Sequence, residues 1–324
     1  MKRALILLVI LPALAIIGAG TAFWILWAGP GPFEEPRTII VAQGASVARV
    51  AQQLESEGLI RGSSTIFRGF ARIFGSAAPI QAGEFQLRER MSASAILTHL
   101  QYGRPIQRLV TIPEGMPSVL VHERLMQVPY LTGEIDVPRE GSVLPDSYNY
   151  QRGETRAAVL ARMQRAMRDT LARLWAERSA DIAVASPEAA VILASVVEKE
   201  TGKPSERRLI AGVYTNRIRR NMPLQADPTV IYPITRGRPL GRRILRSELN
   251  ANNGYNTYRQ AGLPIGPIAN PGRESIAAVL NPERTSALFF VADGTGGHVF
   301  ADTYEQHRAN VERWYAIRRA RGEM

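Results

Sequence analysis

The stretch Ala189-Ala-Val-Ile-Leu-Ala-Ser-Val-Val-Glu-Lys-Glu-Thr-Gly202 decides the fold of the C-terminal half of the chain. It reads as an apolar helix that ends in two glutamates. Ser186 is placed to cap the helix, and Pro187 suits its first turn. Glu188 would favour the positive end of the helix dipole, and Thr201-Gly202 supplies the end. The sequence therefore predicts a buried helix that presents a carboxylate at its C-terminus.

Glu200 is the candidate general acid of this helix. Helical spacing puts it on the same face as Leu193, Val196 and Val197, because residues three, four and seven apart are neighbours. A carboxyl group on an apolar face is desolvated, which raises its pKa and lets it hold a proton near neutral pH. The competing interpretation is a solvated helix end with two surface glutamates, and spacing leaves both open.

Composition excludes several classes of function. The 324 residues are 45% apolar, enough for two modest domains. The net charge of +11 comes mostly from arginines scattered along the chain, without a nucleic-acid-binding motif, so we interpret it mainly as compositional bias with a secondary affinity for anionic lipid or polymer. There is no cysteine, and the four histidines lack metal-ligand spacing. We therefore expect no disulfide, metal or cofactor.

The amino terminus predicts a single-pass membrane anchor. Two positive charges precede an uncharged apolar run over residues 4–28, which is long enough to cross a hydrocarbon core of ~30 Å. Trp24 and Trp27 stand at its far end, where an aromatic belt belongs, and the Gly-Pro pairs of residues 29–32 then break the helix. The charge asymmetry predicts a cytoplasmic N-terminus at the inner (plasma) membrane and a periplasmic or extracytoplasmic remainder.

A cleaved signal peptide is the alternative for this run. Small residues at 18–22 would suit a cleavage site. The apolar run continues past them to residue 28, however, which is longer than a typical signal-peptide core and favours an uncleaved anchor.

The exported part reads as α+β. A strand, two helices, a second strand and a third helix are predicted over residues 38–42, 46–54, 63–74, 83–87 and 92–100. The predicted organisation is a cytoplasmic tip (1–3), the anchor (4–28), a linker (29–36), a small βααβ module (37–103) and a mixed α+β catalytic domain (104–324). In that domain, residues 140–148 and 224–232 read as loops, and residues 287–300 as a β-hairpin.

Carboxylate chemistry is the most plausible reaction type. Glu198 and Glu200 sit about 200° apart on a helix and cannot both face one substrate. If Glu200 is the acid of a glycoside cleavage, Asp227 or Asp146 could supply a second carboxylate. With no second carboxylate, the substrate itself could supply the nucleophile.

Several motifs, in order and spacing, resemble the YceG-like (MltG) endolytic murein transglycosylase family. They are Val196-Val-Glu-Lys-Glu-Thr201, Leu224-Gln-Ala-Asp-Pro-Thr-Val-Ile-Tyr232, Tyr255-Asn-Thr-Tyr258, Gly262-Leu-Pro-Ile-Gly266 with Asn270-Pro-Gly272, and Phe290-Val-Ala-Asp-Gly-Thr-Gly-Gly-His298. Residues 37–102 resemble the family's LysM-like module. The loop at 140–148 resembles its Leu-Pro-Asp-Thr-Tyr segment, with Ser147 in place of Thr.

This resemblance implies an activity. The family cleaves the β-1,4 bond between N-acetylmuramic acid and N-acetylglucosamine in nascent glycan strands and leaves 1,6-anhydromuramoyl ends, which terminates elongation beside the peptidoglycan synthases. Its catalytic glutamate maps onto Glu200. A water-using muramidase with Asp227 as second carboxylate, and a non-catalytic peptidoglycan-binding scaffold, are the alternatives.

The remaining motifs are expected to line the glycan groove. Gln225, Asn256 and Thr257 are candidate hydrogen-bonding residues, Tyr255 and Tyr258 candidate stacking residues, and Asp227 a further candidate. The competing interpretation is structural, because Asn-Thr and Asp-Pro turns often satisfy only their own backbone.

Overall fold

A computed structural model describes residues 2–323 of the chain, with side chains from residue 10 onward. The predicted cytoplasmic tip begins at Met1, and the predicted catalytic domain ends at Met324; both residues lie outside the described part. The fold is α+β, and the chain divides into two compact units after Arg108, the first residue of a strand whose other residues belong to the second unit.

The first unit contains one small sheet and four helices. Its elements are α1 (Lys2–Phe23), a π-helical turn (Trp24–Ala28), β1 (Arg37–Val41), α2 (Val47–Ser56), α3 (Ser64–Phe74), β2 (Gly83–Leu87) and α4 (Ala93–Tyr102). β1 and β2 pair antiparallel, with Ile39 opposite Phe85. The order after residue 36 is the strand–helix–helix–strand–helix order that the sequence predicts, while the LysM likeness stays a prediction.

Serine caps and alternation explain these elements. The side chains of Ser46, Ser63 and Ser92 each accept a hydrogen bond from the backbone N–H three residues on, which starts α2, α3 and α4. Ile39 and Phe85 are fully buried on one face of the sheet, and α2 and α4 cover that face with apolar side chains.

One helix of the described chain is long and apolar enough to cross a membrane, over Ile10–Ala28. The last turn of this helix differs from the sequence prediction in the position of Trp27. Trp27 is only 4% exposed and belongs to the core of the first unit, so it is not an aromatic-belt residue. Residues 29–36 are also packed, since Phe33 is buried and its carbonyl accepts a hydrogen bond from the N–H of Arg90.

The second unit is mostly helical, with two small two-stranded sheets. Its elements are β3 (Arg108–Thr111), α5 (Ser118–Gln127), β4 (Ser147–Tyr150), α6 (Arg156–Ala176), α7 (Pro187–Glu200), a 3₁₀ turn (Pro204–Glu206), α8 (Arg207–Arg219), α9 (Asp227–Thr235), α10 (Arg246–Leu249), α11 (Arg273–Leu280), β5 (Phe289–Ala292), β6 (His298–Ala301) and α12 (Tyr304–Ala320). β3 pairs with β4, and β5 with β6 as the predicted hairpin.

Two segments differ from the sequence prediction. The predicted loop at residues 140–148 ends inside β4 (Ser147–Tyr150). The predicted loop at 224–232 contains most of α9 (Asp227–Thr235). An acidic residue followed by proline is a helix-start signal, because proline has no N–H that would be left without an acceptor in the first turn, and the carboxylate suits the positive end of the helix dipole. The prediction took the same dipeptide for a turn.

The core of the second unit forms around α7. The helix packs on α8 and α11, and its buried positions include Leu193, Val196 and Val197. It begins as predicted, with the Ser186 hydroxyl accepting from the N–H of Ala189 at 3.1 Å. This core fixes the C-terminal end of α7, where Glu200 stands.

Candidate active site

Glu200 is the last residue of α7 and is partly buried among groups from α8. The hydroxyl of Tyr214 donates a hydrogen bond to Oε1 of Glu200 at 2.9 Å. Burial raises the pKa of Glu200 from 4.5 to about 7, and the negative charge of Asp227 adds to the rise, while the Tyr214 hydrogen bond and the Arg217 charge oppose it. The carboxyl is thus poised to exchange a proton near neutral pH.

Glu198 has a different environment. Its side chain is 5% exposed; Oε2 accepts from the backbone N–H of Gly272 at 2.8 Å, and Oε1 pairs with Arg207 at 3.5 Å. Arg207 also binds Glu114 at 2.7 Å. These contacts hold α7 to α8 and to the loop before α11, so Glu198 is a bracing residue.

Asp227 and Tyr258 form a pair near Glu200. The hydroxyl of Tyr258 donates to Oδ1 of Asp227 at 2.6 Å. Burial raises the pKa of Tyr258, and the hydrogen bond to Asp227 and the charges of Asp227 and Glu200 add to the rise. Asp227 is exposed at the first turn of α9. This places two carboxylates, one partly buried and one exposed, within electrostatic range of each other.

Arg217 is buried within electrostatic range of Tyr258 and Glu200, and it donates hydrogen bonds to the adjoining loop. It is 6% exposed, and its guanidinium donates to the carbonyl oxygens of Leu288 and Leu224 at 2.6 and 2.8 Å. It also donates to Oε1 of Gln225 at 3.3 Å. Gln225 itself is exposed and has φ of 52°, a left-handed conformation that few residues other than glycine adopt. Gln225 therefore links the exposed loop before α9 to the buried Arg217.

Asn256 and Thr257 are scaffold residues rather than surface donors. Asn256 is 1% exposed and its amide donates to the carbonyl oxygens of Leu249 and Ala251 at 2.9 and 2.8 Å. Thr257 is fully buried, and its hydroxyl accepts from the N–H of Ala226 at 3.1 Å. Their polar groups are engaged inside the loop, as the structural interpretation of the motif anticipates, and they hold Tyr258 and Asp227 in place.

Tyr255 lies in a different place from Glu200. Its ring packs on Tyr232, with centroids 5.0 Å apart, and both rings line a cavity of about 800 Å³. The Tyr232 hydroxyl donates to Oε2 of Glu140 at 3.1 Å, and burial raises the pKa of Glu140. Val191 and Ile192 of α7 form another wall. The structure therefore separates the predicted site residues into a Glu200 cluster and a Tyr255 cavity along the same helix.

Sequence reasoning missed Tyr214, Arg217 and Glu140 as site residues. Tyr214 lies four residues after the apolar Ile210 in the sequence, and a tyrosine at such a helical spacing signals a hydroxyl that needs a partner. Arg217 carried no signal that sets it apart from the many scattered arginines. Asp146, the other candidate for a second carboxylate, is exposed, and its Oδ1 accepts from the N–H of Ser147 at 2.7 Å.

The fold and this carboxyl site define a class: an α+β protein with one candidate membrane-spanning helix and a partly buried acid on a helix end. The chain belongs to the YceG-like family, whose sequence model matches residues 39–313.

Relatives and a solved structure agree with this membership. The chain is 28% identical to an endolytic murein transglycosylase of Streptococcus pneumoniae, over 85% of this chain and 57% of the relative. It is 26% identical to the protein of the same name from Bacillus subtilis, over 85% of this chain and 84% of the relative. The chain thus spans little more than half the length of the pneumococcal relative. The crystal structure of a YceG-like protein from Listeria monocytogenes shares the fold, with a TM-score of 0.51 at 24% identity over 85% of this chain and 98% of that one.

Proposed function

We propose that this protein is a membrane-anchored endolytic murein transglycosylase. It cleaves the β-1,4 bond between N-acetylmuramic acid and N-acetylglucosamine in nascent glycan strands and forms 1,6-anhydromuramoyl ends. The observation that carries the proposal is the Glu200 carboxyl, whose pKa burial raises to about 7 beside the Tyr214 hydroxyl. Family membership and the names of the relatives support the substrate class.

Bond cleavage begins with Glu200 as general acid. The protonated carboxyl gives its proton to the glycosidic oxygen, the C1–O bond breaks, and an oxocarbenium-like sugar is left on the muramoyl side. Ionised Glu200 is then stabilised by the hydrogen bond from Tyr214 and by the nearby charge of Arg217. Both groups favour the charged carboxylate, so they lower the cost of the proton transfer.

Ring closure returns the proton to Glu200. The carboxylate takes the proton of the muramoyl C6 hydroxyl, and the C6 oxygen forms a bond to C1. The electron pair of that oxygen fills the vacancy at C1, so the substrate supplies its own nucleophile. The products are an anhydromuramoyl end and a free N-acetylglucosamine hydroxyl, which makes the reaction a lyase reaction.

The residues around Glu200 suit different parts of the strand. Gln225, Asp227 and Tyr258 offer exposed or half-exposed polar groups next to the acid. Tyr255 lines the cavity beside Ile192, which is eight residues before Glu200 on α7 and thus about 12 Å away along the helix axis. We assign Tyr255 to a more distant part of the glycan strand, and we leave Asn256 and Thr257 out of the contacting set because both are buried.

The anchor and the small module complete the proposal. The candidate span holds the chain in the inner membrane with its N-terminus in the cytoplasm and the catalytic unit in the periplasm, beside peptidoglycan synthases. Residues 37–103 act as a LysM-like module. The charge order at the amino terminus supports this orientation, because positive residues precede the span and acidic ones follow it.

The test is a digest of purified glycan strands with the full chain in detergent, followed by mass analysis of the new ends. Wild type is expected to produce anhydromuramoyl ends, and Glu200→Gln none. Glu312→Gln changes an exposed carboxylate on α12 in the same way and should cleave like wild type.

Other outcomes would identify another function. Reducing ends that depend on Glu200 and disappear in Asp227→Asn would show a water-using muramidase, for which the exposed Asp227 carboxylate near Glu200 is the specific observation. No cleavage by the folded wild-type chain, with glycan binding retained, would show a peptidoglycan-binding scaffold.

A further inference from the structure

The candidate membrane helix runs into the first unit without a flexible joint. α1 (Lys2–Phe23) continues directly into the π-helical turn Trp24–Ala28. The indole of Trp27 lies 5.5 Å from the Phe67 ring and 5.7 Å from the Phe70 ring, centroid to centroid, and is 4% exposed. The end of the helix is therefore part of the core of the first unit.

α3 (Ser64–Phe74) lies beside the last turn of α1. The ring of Phe23 packs edge-on against Phe70 at 5.6 Å and against Phe74 at 5.0 Å. Phe70 and Phe74 are themselves in contact at 6.0 Å. Whatever depth Phe23 takes in a membrane, α3 must take nearly the same depth.

The apolar face of α3 that meets α1 is only partly covered within the described part of the chain. Ile66, Ile73 and Phe74 are 40, 71 and 57% exposed, and they fall at helix positions i, i+7 and i+8, which share one face. Arg68 and Arg72 are exposed on the opposite face. Large apolar side chains gathered on one exposed face indicate an interaction surface, because single scattered ones would need no explanation.

The length of α1 sets the depth of this face. A membrane helix needs about 20 apolar residues, and the 22 residues of α1 rise ~33 Å. If α1 crosses the bilayer, Phe23 arrives at the boundary between acyl chains and headgroups. Trp24, 59% exposed, is then at the level where amphipathic aromatic side chains accumulate.

We propose that α3 lies in the plane of the membrane surface, with Ile66, Ile73 and Phe74 inserted among the lipids. The partner is the phospholipid bilayer itself. This inference rests on the proposed membrane anchor, although it is independent of the proposed catalysis. In-plane amphipathic helices bury their apolar face at the boundary of headgroups and acyl chains and keep their basic face outward, as Arg68 and Arg72 are arranged here. The first unit is thereby seated on the bilayer at two points, the span and α3.

The test uses spin labels, since the chain has no cysteine and single-cysteine variants label at one site. Ile73→Cys marks the proposed lipid face, and Arg68→Cys on the same helix is the matched control. The full chain is reconstituted into vesicles of phosphatidylethanolamine and phosphatidylglycerol. Collision of each label with oxygen, which concentrates in lipid, is compared with collision with a water-soluble nickel chelate.

We expect the oxygen-to-nickel collision ratio at residue 73 to exceed that at residue 68 several-fold. Vesicle flotation is measured on the same samples, because it reports whether the chain is anchored in the membrane independently of where α3 lies. A chain that floats while the label at 73 meets nickel as freely as the label at 68 keeps its anchor and overturns the inference. A label at 73 shielded from both reagents would mean that another protein surface or a second copy covers α3, which also overturns it. A chain that does not float removes the anchor and the inference together.

Discussion

Glu198 and Glu200 lie two residues apart on one helix, but the environments of their carboxyl groups differ. Glu198 is nearly inaccessible and ionically paired with Arg207, so its charge is compensated. Glu200 faces the apolar side that the helical period predicts, and it has a neutral hydroxyl as its hydrogen-bond donor. A desolvated carboxyl without a directly bonded cation keeps its proton to higher pH, which is the property an acid catalyst needs.

The first prediction concerns pH and rate. In the proposed mechanism the acid form of Glu200 starts the reaction. Because burial raises the pKa of Glu200 to about 7, the cleavage rate should fall as pH rises through about 7. The initial rate on purified strands, measured from pH 5 to 9, checks this.

Tyr214→Phe is the variant that should shift the falling limb of the pH–rate profile, the pH range in which the cleavage rate declines. The lost hydrogen bond favoured the ionised carboxyl, so the pKa of Glu200 should rise further and the falling limb should shift to higher pH. The maximal rate should drop by about 10- to 150-fold, since a hydrogen bond to a charged group contributes roughly 1.5–3 kcal/mol. An unshifted limb in Tyr214→Phe would show that another group controls the profile.

The second prediction concerns pH and stability. The pKa of Glu200 is raised on folding from 4.5 to about 7, so the folded chain binds more protons than the unfolded chain between these values. Through this group, the free energy of unfolding is highest below pH 4.5 and decreases as pH rises to about 7. Glu200→Gln cannot ionise and should be more stable than wild type above pH 7.

Chemical denaturation at pH 5 and pH 8 measures this difference. Glu198→Gln is the control on the same helix, because it removes a nearly inaccessible negative charge that pairs with Arg207 and leaves Arg207 with Glu114 alone. That variant should be less stable than wild type at both pH values. A Glu200→Gln chain that is less stable than wild type at pH 8 would contradict the desolvation argument.

At the level of elements, the segment after α8 depends on one buried guanidinium. Arg217 donates to the carbonyl oxygens of Leu288 and Leu224, which joins α8 to the start of the β5–β6 hairpin and to the Gln225 loop. These carbonyl oxygens belong to connecting segments, and the arginine side chain donates hydrogen bonds to them. The position of Asp227, two residues beyond Gln225, therefore depends on Arg217.

The third prediction follows from this arrangement. Arg217→Lys keeps the charge, but its single ammonium nitrogen cannot reach all the acceptors that Nε and Nη1 of the guanidinium contact separately, so buried carbonyls are left without donors. The free energy of unfolding should fall by about 2–4 kcal/mol. Arg219→Lys, at a 42% exposed arginine two residues later on α8, should change it by less than ~0.5 kcal/mol. Urea unfolding of the two variants tests this, and equal losses would contradict it.

The sequence predicted helices and strands well where a repeating pattern meets a cap. α7 has a capping serine and a continuous apolar face, so its bounds and the face of Glu200 follow from spacing. α9 was mistaken for a loop because Asp227-Pro228 is equally common in turns, and only the packing of α9 on α7 decides between them. The motif alone leaves both a groove-lining and a structural role open for Asn256 and Thr257, because burial depends on contacts from distant parts of the chain, such as Thr229 on α9 with Thr257.

At the scale of the whole chain, the exposed part of the candidate span ends earlier in the structure than the hydropathy of the sequence predicts. Hydropathy runs unbroken to residue 28, so a sequence pattern assigns Phe23, Trp24 and Trp27 alike to the membrane. The structure divides them, because Trp27 is buried in the first unit while Trp24 is 59% exposed. Apolar composition cannot tell a lipid-facing side chain from one in a protein core.

The fourth prediction is that the position of a truncation decides whether the first unit stays folded. A chain that begins at Phe23 loses the span and keeps Trp27 and Phe33 in the core, whereas a chain that begins at Arg37 loses both. Removing a large buried aromatic side chain costs about 3–5 kcal/mol, so two such losses approach the whole stability of a small unit, which is typically 5–15 kcal/mol. The longer chain should protect the amides of β1 and β2 from hydrogen exchange, and the shorter one should not.

Protection of α7 in the second unit should be equal in both and serves as the internal control. Equal protection of β1 and β2 would show that Trp27 and Phe33 only cover a core that is stable without them, and the anchor would then end where hydropathy ends.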